Sequence, residues 1–353
     1  MRFNNCTILI VDDLPNNIKV ATQFLQQLEV KIIYATSGKQ AIQRAQNTQA
    51  DLILMDVMMP EMDGFQTVKE FKNIPLLSSI PIIFLTAKSE IEDLKKGFEI
   101  GGVDYITKPF NGEELIARVS MHLELSIYRK KLEEEVDNRT KEIENLKSSI
   151  VEAMGSLAEY RDNETGAHIQ RTQHYVKILC EHLSKLPKYK ETLSDEFINL
   201  LFKTAPLHDI GKVAIKDNIL LKPGKLTDEE FEIMKKHATF GEEIISRIIE
   251  KNGKTEFLIY AKEIAGGHHE KWDGSGYPRG LKGEDIPLSA RIMAIADVYD
   301  ALISKRIYKN TFTHEDACKI IFEGKGKHFD PELIEIFEQI HELFWQIAQE
   351  YKE

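Results

Sequence analysis

The sequence predicts a doubly wound α/β domain with a five-stranded parallel sheet, then a long charged helix, then a second domain whose readable elements are helical. Three observations predict it. Residues 1–120 alternate five short apolar runs with amphipathic stretches. Residues 125–157 place apolar side chains at alternating three- and four-residue spacings. Beyond residue 150, histidines and carboxylates recur one helical turn apart or as adjacent pairs. A chain of 353 residues suits two domains and a connector, with boundaries expected at 1–122, 123–150 and 151–353.

In the first domain the strand candidates are Thr7–Val11, Lys31–Ala35, Leu52–Met55, Ile82–Leu85 and Asp104–Ile106. A sheet of this kind gathers its ligand groups at the carboxyl ends of its strands. Asp12 and Asp13 follow the first strand, Asp56 the third, Thr86 the fourth and Lys108 the fifth. Three converging carboxylates repel one another unless a cation sits among them, and an all-oxygen set favours Mg²⁺. Lys108 can then neutralise a phosphoryl group and Thr86 can hydrogen-bond it. Pro109 pushes Lys108 towards extended backbone, as a strand end requires.

The connector carries Leu125, Leu132, Val136, Ile143, Leu146, Ile150 and Leu157, interrupted by Arg129, Arg139 and Ala153. That is a heptad seam with polar breaks, and it predicts a parallel coiled-coil homodimer. The alternative is a single solvated helix.

The second domain holds Glu164, His168, His208, Asp209, His237, His268, His269, Asp297 and Asp300. So many imidazoles and carboxylates at close spacing suit a cluster of two or three metal ions. Glu164 and His168 share a helix face, as do Asp297 and Asp300 on an apolar helix. Gly211 reads as a helix end that lets His208 and Asp209 splay inward, and Gly266–Gly267 as a second stop before the histidine pair. Arg171 is placed to hold a carboxylate or a phosphate. Lys212, Arg306 and Lys309 are candidate phosphate contacts, the last two on the helix that carries Asp297. The Gly-Tyr-Pro string at 276–278 shapes a loop bordering the substrate, which puts Tyr277 at its edge. His122, His174, His182, His314, His328 and His341 read as ordinary core histidines.

Composition narrows the function classes. A net charge of −11 argues against a binder of nucleic-acid polymers. Cys6, Cys180 and Cys318 form no close pair, so neither a disulfide framework nor a zinc ribbon is expected. No apolar run reaches membrane-spanning length, and a cytoplasmic protein without membrane contact is expected.

The strings HDIGK (208–212), HHEKWDGSGYP (268–278) and DVYDALISKRIYK (297–309), in that order, resemble the HD-GYP family of cyclic-dinucleotide phosphodiesterases over about residues 150–345. The resemblance implies an all-α HD-type metallohydrolase binding iron or manganese, and zinc also fits the mixed donor set. It implies hydrolysis of cyclic di-GMP to linear pGpG, with GMP as a further product. Asp209 would bridge, with His208, Asp297 and His168 completing one metal site and His237, His268 and His269 the second. Glu164 and Asp300 would hold a third ion. His208, Asp209 and Lys212 would carry the catalysis.

The pattern DD…DVMMPEMDGF…TA…KPF resembles the response-regulator receiver family. It implies Asp56 as phosphoacceptor and Mg²⁺ on Asp12, Asp13 and Asp56. Thr86, Lys108 and the rotor Tyr105 would sense the phosphoryl group, and a cognate sensor histidine kinase would be the partner. Two alternatives stand beside this reading. A catalytically weak nucleotide sensor or scaffold would be marked by a missing ligand, and none is missing. Cyclic GMP-AMP is an alternative substrate, because base selection depends on pocket shape.

Overall fold

The computed structural model describes residues 3–87, 91–161, 166–304 and 312–352. The chain divides into two compact units between Lys141 and Glu142.

The first unit is built from β1 (Thr7–Val11), α1 (Pro15–Leu25), β2 (Lys31–Ala35), α2 (Gly38–Asn47), β3 (Leu52–Asp56), α3 (Gly64–Asn73), α4 (Pro75–Ser78), β4 (Ile82–Ala87), α5 (Ile91–Glu99), β5 (Asp104–Lys108) and α6 (Gly112–Tyr160). All strand pairs are parallel and the order is β2-β1-β3-β4-β5. Every residue of β1 and β3 is buried, as expected for central strands covered on both faces. Alternation sorts them into two cores. Leu9, Val11, Ile53 and Met55 pack on one face, and Ile8, Ile10, Leu52 and Leu54 on the other.

The sequence ends three strands too early. The ladder continues through Asp56↔Leu85, Thr86↔Thr107 and Ala87↔Lys108, so Asp56, Thr86 and Lys108 lie within strands rather than after them. Polar residues close the apolar runs, but backbone pairing does not depend on side-chain polarity. After β3 the chain turns back tightly. A side chain at Gly64 would meet the Asp56 carbonyl oxygen at 2.1 Å, so only glycine lets α3 begin there. Arg118 of α6 grips Asp104 of β5 with two hydrogen bonds from one nitrogen (2.7 and 2.9 Å), tying α6 to the sheet edge.

The connector is not a separate element: α6 begins as the last helix of the first unit and runs to Tyr160. Leu125, Leu132, Val136, Ile143, Leu146, Ile150 and Leu157 are all exposed along it.

The second unit continues with α7 (Gly166–Leu183), α8 (Asp195–Thr204), α9 (Asp217–Leu220), α10 (Asp228–Met234), α11 (Lys236–Asn252), α12 (Glu256–Gly267), α13 (Leu288–Ile303), α14 (His314–Glu323) and α15 (Pro331–Glu350). Side-chain caps start many of them: Ser194 for α8, Thr255 for α12, Thr313 for α14 and a Thr227–Glu230 capping box for α10. The core lies where α7, α13 and α15 pack. Tyr175 stacks on Phe344 (4.6 Å between centroids), and Tyr299 meets both edge-on. This apolar block fixes α7 against α13, the two helices that carry His168 and Asp297.

Candidate metal centre

His208 and Asp209 do not sit at a frayed helix end, as the glycine after them suggests. The helix α8 stops at Thr204. Two short 3-10 turns follow, Ala205–Leu207 and Ile210–Ala214, with His208 and Asp209 between them. Gly211 serves a different purpose. A β-carbon there would lie 1.9 Å from the His237 carbonyl oxygen and 2.4 Å from the Gly241 nitrogen. Its absence lets the turn press onto the backbone of α11 and brings Asp209 beside His237. Gly266 and Gly267 likewise belong to the last turn of α12. They are small so that Glu242 and Ala290 can pack against them, and His268 follows as the helix cap.

Four imidazoles enter the centre in one manner. His208 Nδ1 donates to the Ala205 carbonyl (2.9 Å), His237 Nδ1 to the Met234 carbonyl (2.7 Å) and His268 Nδ1 to the Ile264 carbonyl (3.0 Å). His168 Nδ1 bonds the Asp300 carboxylate at 2.7 Å. A carbonyl or carboxylate only accepts, so the ring proton sits on Nδ1 and each Nε2 turns a lone pair inward. This is the outer support that metal-binding histidines require.

Asp209 stands at the middle. Its Oδ1 lies 3.3 Å from His237 Nε2 and 3.7 Å from His268 Nε2. Its Oδ2 lies 3.3 Å from His208 Nε2 and 2.8 Å from Lys212 Nζ. The two oxygens therefore address two different groups of donors. Around His208, His168 Nε2 is 3.5 Å away and Asp297 Oδ1 3.9 Å from both rings. His269 completes the other group, its ring 5.0 Å from that of His237 and 3.9 Å from that of His268.

The fit to metal can be tested on buried atoms. Asp209 Oδ1, His237 Nε2 and His268 Nε2 are fully buried and make no hydrogen bond among the described residues, a costly arrangement unless a cation accepts their lone pairs. Burial holds His268 down to about 3 and pushes His269 well below the usual imidazole range, so both stay neutral donors at physiological pH. Burial alone would raise the Asp209 carboxyl, yet its neighbours, Lys212 first among them, hold it well below the ordinary carboxylate range. Nitrogen and carboxylate donors in this number suit divalent transition metals. Asp209, His237, His268 and His269 could hold one ion, and His168, His208, Asp297 and Asp209 another.

Asp300 requires a correction. It was expected to ligate a third ion, but its side chain is fully buried and both oxygens are committed elsewhere. Arg171 grips it at 2.6 and 2.8 Å, and Ser304 and His168 bond the same carboxylate. Burial would raise its carboxyl, but Arg171 and His168 hold it far below the ordinary range. Sharing a helix face with Asp297 did not give it the same task. Asp300 positions His168, and Arg171 holds a carboxylate rather than a phosphate. Glu164 lies outside the described residues, as do Arg306 and Lys309. Among the described residues α13 ends at Ile303 and Ser304 is extended, its N–H still bonded to the Asp300 carbonyl.

Two carboxylates were missed. Glu159, in the last turn of α6, is buried with Oε1 3.6 Å from His168 Nε2, and it groups with His168 and His208 as a potential ligand. No helical spacing links it to His168, which belongs to the next helix, α7. Glu270 is also buried. It accepts from the backbone N–H groups of Arg279 (2.8 Å) and Leu281 (3.0 Å), and so clamps the loop that follows Tyr277. Within that loop a side chain at Gly276 would strike the Lys271 nitrogen at 2.2 Å. The resulting turn lays Tyr277 against His269, with centroids 4.7 Å apart.

In the first unit, Lys108 Nζ reaches Asp12 at 2.6 Å and Asp56 at 2.8 Å. Asp12, Asp13 and Asp56 bring their oxygens within 4.8 Å of one another. Burial pushes the Asp56 carboxyl up, against the pull of Lys108. Thr86 and Tyr105 line one pocket together with Phe84 and Phe98.

Comparison with known proteins decides the family. The response regulator receiver domain matches residues 8–120, and the HD domain matches residues 152–333. The chain belongs to the response regulators that carry an HD domain. A "Probable cyclic di-GMP phosphodiesterase" of Vibrio cholerae is 50% identical over 99% of this chain and 80% of its own length. The "Cyclic di-GMP phosphodiesterase response regulator RpfG" of Xanthomonas campestris is 35% identical over 93% of this chain and 86% of its own. A "3'3'-cGAMP-specific phosphodiesterase 2" of Vibrio cholerae is 43% identical over 67% of this chain and 42% of its own. The first unit is thus a receiver and the second a member of a metal-dependent hydrolase family. No described helix is long and apolar enough to cross a membrane.

Asp300→Asn should lower metal affinity about 10–100-fold, read as metal retained after dialysis. It should also cost about 3–5 kcal/mol of stability, because Arg171 keeps a buried charge without its carboxylate. Unchanged metal content would reject the positioning role.

Proposed function

We propose that this response regulator is a metal-dependent phosphodiesterase that opens cyclic di-GMP to linear pGpG, with GMP as a further product, under control of receiver phosphorylation. The observation that carries the reading is the set of inward Nε2 atoms, each ring fixed from behind, around a carboxylate with no hydrogen bond on Oδ1 among the described residues.

Two or three ions, iron or manganese by donor type, would be held by His168, His208, Asp209, His237, His268, His269 and Asp297, with Glu159 beside the first group. When bound, such ions lower the pKa of a water to about 7 and neutralise the phosphoryl oxygens. The chain supplies the rest. Lys212, 2.8 Å from Asp209, brings a buried positive charge to the reacting phosphate. Tyr277 flanks the histidine pocket with an aromatic face on which a base can stack. Arg306 and Lys309, outside the described residues, are the candidate contacts to the second phosphate.

At the receiver, Asp56 would accept the phosphoryl group from a cognate sensor kinase, with Mg²⁺ on Asp12, Asp13 and Asp56. Lys108 would pass from Asp12 to the new phosphoryl oxygens, and Thr86 and Tyr105 would follow. The exposed seam on α6 would pair with the same seam of a second copy as a parallel coiled coil, the apolar positions being solvated in a lone chain. Cyclic GMP-AMP is the second reading, favoured by the likeness to the cGAMP-specific relative.

The function is tested by anaerobic purification with iron or manganese and chromatography of cyclic di-GMP digests. Turnover should depend on metal and vanish in His208→Ala. Binding without turnover in the wild type would instead support a sensor, and turnover confined to cyclic GMP-AMP would reassign the substrate. Asp56→Asn should abolish labelling by acetyl phosphate, and labelling that persists would move the acceptor elsewhere. In sedimentation, the double variant Leu132→Glu/Leu146→Glu should show half the mass of the wild type. Equal masses would exclude the seam as the interface.

A further inference from the structure

Apart from the catalytic centre, a second group of metal-type donors lies between α14 and α15. His314 opens α14 and Cys318 follows one turn later, both buried. His341 and Glu342 are consecutive on α15. By spacing alone His314 and His341 read as ordinary core histidines, since nothing in it links the two helices. In the fold His314 Nε2 lies 3.1 Å from His341 Nδ1, and Cys318 Sγ lies 3.6 and 3.7 Å from the two ring nitrogens of His314. Glu342 Oε1 is 3.8 Å from His314 Nε2 and 3.7 Å from His341 Nδ1.

We propose that His314, Cys318, His341 and Glu342 form a second metal centre that takes a single borderline-soft divalent cation of the zinc type. Tetrahedral zinc, with bonds near 2.0–2.1 Å to nitrogen and oxygen and 2.3 Å to sulfur, spaces its ligands about 3.3–3.6 Å apart. The observed separations straddle that range. One thiolate, two imidazoles and one carboxylate match zinc's preferences and differ from the all-nitrogen-and-oxygen set of the catalytic centre.

The surroundings fit as well. The Tyr299 hydroxyl lies 2.8 Å from His314 Nδ1 and can accept its proton, leaving the Nε2 lone pair for the ion. Trp345 stacks on the His314 ring (5.3 Å between centroids, 24° between planes) and helps close the inner side. His341 is partly exposed and Glu342 largely so, which provides an entry path. Binding releases the Cys318 thiol proton to solvent as the metal–sulfur bond forms. The ion would tie α14 to α15 on the far side of Tyr299, whose chain neighbour is Asp300.

Cobalt(II) added to the full-length protein is the probe. A thiolate–cobalt charge-transfer band in the near ultraviolet should appear, saturate at one ion per chain and be displaced by zinc. The catalytic centre has no thiolate and cannot produce it. Cys318→Ser should abolish the band and lower bound zinc by one ion per chain. His341→Ala, at a partly exposed position, should weaken zinc binding at least tenfold. A wild type without the band, or a band that survives Cys318→Ser, would overturn the proposal.

Discussion

Everything in the second unit answers to one constraint: an ionised carboxylate and several imidazoles share a pocket that water barely reaches. Such a group is tolerable only if the rings stay neutral, keep their protons outside and aim their lone pairs at one another's neighbourhood. The fold meets this with backbone. Three of the ring protons go to carbonyls within one helical turn, so local chain geometry, not a distant partner, fixes those orientations. The fourth, on His168, goes to Asp300, which Arg171 holds in turn. The apolar block of Tyr175, Tyr299 and Phe344 holds α7 and α13 in the register this longer connection needs.

Much of this was legible in the sequence, and the exceptions have physical causes. Alternating apolar runs gave the parallel sheet and the strand ends that gather Asp12, Asp13, Asp56, Thr86 and Lys108. Only the last residues of β3, β4 and β5 escaped, because hydrogen-bonded ladders extend past the apolar pattern. Adjacent and helix-spaced residues such as His208–Asp209 and His268–His269 were readable because their proximity is local. Asp300 shows the limit of spacing. It shares a face with Asp297, yet the partner opposite, Arg171, decides its role. Glu159 and Glu270 were invisible for the complementary reason: their importance comes from what tertiary packing lays against them. The glycines illustrate the same point. Gly211 looks like a terminator, whereas the structure requires it for the close approach of two backbones.

The receiver and the hydrolase unit solve related problems with different chemistry. Each concentrates carboxylates in a buried place and compensates with a lysine, Lys108 in one and Lys212 in the other. In the receiver the donors are oxygens alone, which suits a hard ion that exchanges readily. In the hydrolase unit imidazoles dominate, which suits ions held through many cycles.

The bond between His168 and Asp300 spans 132 residues of chain. During synthesis from the amino terminus, His208, Asp209, His237, His268 and His269 have all been joined to the chain before Asp300 is. The histidine-rich half of the centre can therefore gather while the ribosome is still at work, but His168 cannot be locked until α13 is complete. The two halves of the centre differ in age as well as in ligands, and loading of the His168 side belongs to the finished protein.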